Sequence, residues 1–231
     1  MGISGTVKAF DEAKEVIITW FSVLTRDPYA FDRIDLEKTS TLFYALRFML
    51  YMSFVSFLLH LPAVAKLGMK NVIIEPAWIL ETYLEYLLTA FIVYGAMRLF
   101  GGKGTLQACI AAYCLLTAYL PIISVLLLPA QKLIVPNMTG EAQVPEVIRA
   151  AADSLNRLSA WERMGIVLSF LLSTTMFILF FVSVFRVFRM LHRLNKARAL
   201  LAFLLGLATT VVILMFFLEP LLSSVLPKRV S

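Results

Sequence analysis

Charge is what this chain has least of. Only 16% of its 231 residues are Asp, Glu, Lys or Arg, against 60% hydrophobic, whereas soluble domains carry roughly 25% charged residues. A soluble globular fold is excluded on that ground alone, and the mean hydropathy of +0.84 agrees. Cysteine is nearly absent. Cys109 and Cys114 both fall in the charge-free run 104–131, so they form no extracellular disulfide framework and match no metal motif. They are read as free thiols packed among apolar helices. With two histidines in the whole chain, there is no His-x-x-x-His pair and no Ser/His/Asp set. A dinucleotide fingerprint is missing too, and no enzyme, cofactor or metal is expected. The start of the chain has no apolar signal-peptide core, because Asp11, Glu12 and Glu15 occupy the place where one would lie. Repeats and low-complexity linkers are also missing, which leaves one domain.

What is present is a series of apolar runs long enough to cross the roughly 30 Å hydrocarbon layer. Five spans are expected, near residues 42–64, 77–100, 105–128, 164–185 and 199–218. Residues 1–41 precede them and a tail, 221–231, follows. The second and third spans form a hairpin around Gly101-Gly102-Lys103-Gly104, where glycine supplies left-handed backbone at low cost. That turn lacks phosphate-loop spacing and follows a membrane helix, not a strand. A loop is expected over 66–76. Beyond Pro129 comes the longest polar stretch, in which 144–161 has a helical pattern suited to the membrane surface. Asn137-Met138-Thr139 within that stretch fits a glycosylation acceptor, relevant only in a eukaryotic secretory compartment. The fold class is therefore an all-α integral membrane protein with five transmembrane helices.

Ahead of the spans, residues 1–26 repeat Phe10, Ala13, Ile17, Trp20, Phe21 and Leu24 at helical spacing, with Lys8, Asp11, Glu12 and Glu15 mostly opposite. The pattern predicts an amphipathic interfacial helix anchored by Phe10, Trp20 and Phe21. Packing of the same face against the bundle is the alternative.

Orientation follows the distribution of Lys and Arg. The amino-terminal region, the turn with Arg98 and Lys103, and the 186–198 connector lie on one side and are the richer in basic residues. The connector holds Arg186, Arg189, Arg193, Lys196 and Arg198 without an acid. That side is taken as cytoplasmic, which puts the amino terminus inside. The same five residues are candidate contacts for anionic lipid headgroups, each worth about 1 kcal/mol near the surface. A net charge of +6 is thereby accounted for without nucleic acid. The expected partners are membrane lipids, anionic on the cytoplasmic side, with protein partners or further copies of the chain left open.

Ionisable residues inside spans are costly and tend to face protein or water. Glu81 and Glu85, at i and i+4, share a face of the second span, and His60 near the end of the first span lies at a similar level. With Arg47 they make up a candidate polar membrane site. Its functional reading is an outward-facing cavity for an ion, a proton or a headgroup. Its plainer reading is snorkelling, or hydrogen bonds to Tyr83, Tyr86 or His60; Arg47 would snorkel to phosphates. Neighbouring carboxylates on one helix do not flank a substrate as glycosidase chemistry requires.

Asp27-Pro28-Tyr29-Ala30-Phe31 before five spans, Gly101-Gly102-Lys103-Gly104-Thr105 between spans two and three, and Tyr119-Leu120-Pro121 within span three together resemble the Yip family of Ypt/Rab-interacting membrane proteins, specifically its prokaryotic branch. The chain lacks the long polar amino-terminal extension and the Asp-Leu-Tyr-Gly-Pro signature of eukaryotic members. The resemblance implies a five-helix domain with a cytoplasmic amino terminus. It further implies a non-enzymatic protein that organises, scaffolds or remodels the bilayer or recruits partners, here in a bacterial inner membrane. The contrasting expectation is a small transporter or channel subunit using Glu81, Glu85 and His60.

Overall fold

A computed structural model describes residues 3–25, 35–66, 69–134, 152–153 and 155–218, with side chains for 14–25, 35–61, 82–129, 152–153 and 155–217. All regular structure among these residues is helical: α1 (Ile3–Leu24), α2 (Thr39–Lys66), α3 (Met69–Leu99), α4 (Leu106–Leu116), a 3-10 turn (Thr117–Tyr119), α5 (Leu120–Ile134), α6 (Ala160–His192) and α7 (Lys196–Ile213), which ends in a π turn (Leu214–Leu218). Among the described residues, four stretches are long and apolar enough to cross a membrane: Thr39–Leu61, Leu106–Pro129, Ala160–His192 and Lys196–Phe217. The regular structure of the described residues is thus all-helical, and the chain has the make-up of a multi-pass membrane protein.

The third of the expected spans is built in two pieces for a covalent reason. Pro121 has no N–H to give Thr117, and its ring would crowd that carbonyl. The backbone tightens instead, and the Leu120 N–H bonds Thr117 at i+3. The Thr117 hydroxyl turns back on the Cys114 carbonyl at 2.6 Å. Helix α6 begins with a capping box: Ser159 Oγ accepts from the Glu162 N–H, and a Glu162 carboxylate oxygen accepts from the Ser159 N–H.

Three boundaries differ from the expected ones. Residues 69–76 are helical, not a loop, since α3 starts at Met69 and runs through Pro76. The 186–198 stretch is not an extended connector. Helix α6 continues to His192, so that only residues 193–195 separate it from α7, which starts where Asn195 accepts the Arg198 N–H at 2.9 Å. Helix α6 also begins at Ala160, within the stretch assigned to a surface helix. Asn137 and the rest of 135–151 lie outside the described residues, as do Asp27-Pro28-Tyr29-Ala30-Phe31.

The α4–α5 span is the centre of the bundle, with α2, α3 and α6 packed on it and α7 on the far side of α3. Small residues, Ala108, Cys109, Ala111, Ala112, Cys114 and Ala118, are wholly buried along it, as suits helices in lipid, where close backbone approach replaces the hydrophobic drive. Tyr113 fills the remaining space, edge-on to Phe180 at 5.8 Å and to Phe188 at 6.3 Å. The α3–α7 contact uses the same device. Ala202, Gly206 and Thr210 recur every four residues and are buried, and a Cβ on Gly206 would sit 3.0 Å from the Val93 Cα.

Candidate functional site: a clasp and a basic rim at one end of the bundle

Helices α3 and α6 end side by side and in the same way. At the end of α3 the Gly101 N–H bonds Arg98 and the Gly102 N–H bonds Met97, with Gly101 at a left-handed φ of 86°. At the end of α6 the Arg193 N–H bonds Met190 and the Leu194 N–H bonds Arg189, with Arg193 at a φ of 52°. Both are Schellman caps. One uses the residue type suited to that conformation. The other holds an arginine there, which costs about 1–2 kcal/mol.

The two ends are fastened to each other. The Lys103 N–H donates to the His192 carbonyl at 3.1 Å, satisfying an acceptor that α6 leaves open. The imidazole is 1% exposed and is wedged into the glycine turn. A Cβ on Gly102 would lie 2.3 Å from His192 Nδ1 and 2.7 Å from the Met97 carbonyl oxygen, and one on Gly104 would lie 3.1 Å from the ring. Gly102 and Gly104 are therefore required by close approach, and Gly101 by its φ. His192 Nε2 stands 3.2 Å from Cys109 Sγ, while Nδ1 is buried with no hydrogen-bond partner. Tyr94 packs on the ring at 5.6 Å. The sequence does not single out His192. Nothing in the chain's pattern pairs position 192 with 102, and the signal that exists, two glycines around a lysine, has an adequate local explanation as a turn.

This clasp assembles the basic residues. Arg186, Arg193, Lys196 and Arg198 are exposed and Arg189 is half-buried, with exposed Arg98 and Lys103 contributed by the opposite turn. An Arg98 guanidinium N–H donates to the Gly102 carbonyl at 3.0 Å. The starts of α2 and α4 are at the same end, since the Gln107 side chain donates to the Glu37 carbonyl at 2.7 Å.

Helix α1 docks near this end through Val16, Trp20, Val23 and Leu24. The Trp20 indole N–H donates to the Ala118 carbonyl at 2.9 Å, in the 3-10 turn where the residue three further on, Pro121, has no N–H to offer. The Thr19 hydroxyl pairs with that of Tyr44 at 2.7 Å. Phe21 is exposed; the Phe10 side chain lies outside the described part.

Of the expected polar membrane site, Arg47 and His60 belong to α2 and Glu81 and Glu85 to α3. Glu85 is half-buried at the middle of α3, and its carbonyl accepts from the Thr89 hydroxyl at 2.7 Å. His60 is half-buried in α2, and Arg47, earlier on the same helix, is exposed. The Glu81 side chain lies outside the described part. Tyr83 donates to the Leu46 carbonyl at 3.4 Å. Among the described residues no group of three His, Cys, Asp or Glu side chains could hold a metal ion. No family model, curated protein or solved structure matches the chain.

Proposed function

We propose that the protein is a non-enzymatic, five-span membrane protein that organises or remodels the bilayer by holding anionic lipid headgroups at its clasped end. The observation that carries this reading is the basic rim: two connectors, free of acidic residues between 98 and 105 and between 186 and 198, are tied together at one end of an apolar bundle. Phosphate-bearing lipids are the abundant anions at such a place.

The fifth crossing is α3. Spans α2 and α4–α5 start at the same end, so the chain between them must return, and α3 is the element that returns it. At 31 residues it is about 45 Å long at about 1.5 Å per residue, ample for a tilted crossing. The basic end is then cytoplasmic by the positive-inside rule, in a bacterial inner membrane, as the Yip-family resemblance implies.

The test is mass spectrometry of lipid retained after mild-detergent extraction, with vesicle shape measured after reconstitution. Anionic lipid should be enriched on the native protein and fall severalfold in the triple variant R193Q/K196Q/R198Q, with any change of vesicle curvature lost in parallel. Equal retention by both proteins contradicts the proposal. Ion or proton flux abolished by E81Q/E85Q would replace it with transport.

A further inference from the structure

Helix α1 meets the bundle at two levels, and the two contacts fix which way it faces. Thr19 and the Glu15 carbonyl meet the Tyr44 hydroxyl, at 2.7 and 3.5 Å, and Tyr44 lies in the second turn of α2, close to the clasped end. Trp20 meets Ala118, halfway along the Leu106–Pro129 span, about 18 Å from that end at about 1.5 Å per residue. One edge of α1 thus points toward the membrane surface and the other toward the bilayer centre.

The composition of the edges follows that direction. Val16, Trp20, Val23 and Leu24, at i, i+4, i+7 and i+8, form the docked face. On the surface-directed side come Glu15, Thr19 and Ser22, at i, i+4 and i+7. On the other side come Ile17, Ile18 and Phe21, which are 55%, 55% and 56% exposed. A helix standing upright beside the bundle would meet lipid on both edges and would gain nothing from a polar one. A helix lying across the bundle meets protein on one side, headgroups and water above, and acyl chains below.

We infer that α1 lies flat within the leaflet at the clasped end, docked sideways on the third span, with Ile17, Ile18 and Phe21 covered by lipid acyl chains. The occupant is lipid because the apolar edge faces the half-way level of a crossing helix. Lys14, exposed and three and four residues before Ile17 and Ile18, lies on this edge itself, and its four-carbon stem is long enough to return the ammonium to the headgroups. Helix α1 then adds volume to one leaflet only. The inference needs the membrane crossing of α4–α5 but not the headgroup role of the basic rim, and its experiment reads position alone.

The test is spin labelling of the full chain in vesicles at four exposed or half-exposed positions, I17C and F21C against E15C and S22C, comparing collision with oxygen and with a water-soluble nickel chelate. Native Cys109 and Cys114 are buried, and the unsubstituted protein serves as the labelling control. The oxygen-to-nickel ratio should be severalfold higher at 17 and 21 than at 15 and 22. High oxygen collision at all four positions would overturn the inference in favour of an upright helix, and high nickel collision at all four would place α1 outside the membrane. Low collision with both reagents at 17 and 21 would mean that protein, such as a second copy, covers the edge.

Discussion

Of the expected spans, the third (Leu106–Pro129) and the fourth (Ala160–His192) are almost equally apolar, yet 67% of the most hydrophobic window of one is buried inside the protein and 17% of that of the other. What separates them is side-chain size. The third carries Ala108, Ala111, Ala112, Cys114 and Ala118 where helices cross. The fourth presents Phe170, Leu171, Phe177 and Ile178 outward, each about half exposed, and turns Ser173 and Ser183 inward, with Ser169 donating to the Leu126 carbonyl and the Ser183 hydroxyl 3.3 Å from that of Tyr119. In water the larger apolar residues would go inside. In lipid they gain nothing by doing so, and the interior goes to residues that let backbones approach. Hydropathy therefore finds a crossing, and small-residue content finds the centre.

That contrast can be broken at several places. The largest effect is expected where the central span is entered, at the clasp. Gly102→Ala drives a methyl group into the His192 ring and the Met97 carbonyl. It should cost about 3 kcal/mol, the upper end for overpacking, because the carbonyl cannot move aside. Thermal unfolding in detergent measures it, with Gly101→Ala as a control for backbone strain alone. Next comes a pair. Ala112→Leu, fully buried in the third span, should cost about 1–3 kcal/mol, while Thr174→Leu, exposed on the fourth, should stay within about 0.5 kcal/mol; equal losses would erase the contrast. The smallest effect is a second pair. Gly206→Ala, 3.0 Å from Val93 Cα, should lose about 1 kcal/mol, whereas Gly165→Ala, with open space around it, should gain about 0.5–1 kcal/mol from helix propensity.

Length and hydropathy made the membrane class legible from the chain, since runs such as 164–185 have no other stable home. The break at Pro121 was legible as a proline within a span, though the bond that Trp20 makes to the turn beside it was not. The amphipathic spacing left the Trp20 face open to either the membrane interface or the bundle; its indole bonds Ala118, a partner 98 positions away that no local pattern reveals. The helical start of α3 was hidden because Pro76 and Lys70 read locally as loop signals. The basic connector shortened to a three-residue turn because His192 and Leu191, unremarkable in sequence, continue α6 against the glycine turn. Glu81 and Glu85 stood out because charge in an apolar run always does, and the conspicuous residues were not those that hold the helix ends together.

Whether Leu106–Pro129 is the buried centre is decided by a photoreactive group at the acyl-chain end of a lipid, followed by peptide mapping. If the third span is the core, residues 108–119 should carry no label while 164–178 is labelled on every turn. Label on 108–119 at a level comparable with 164–178 would contradict it.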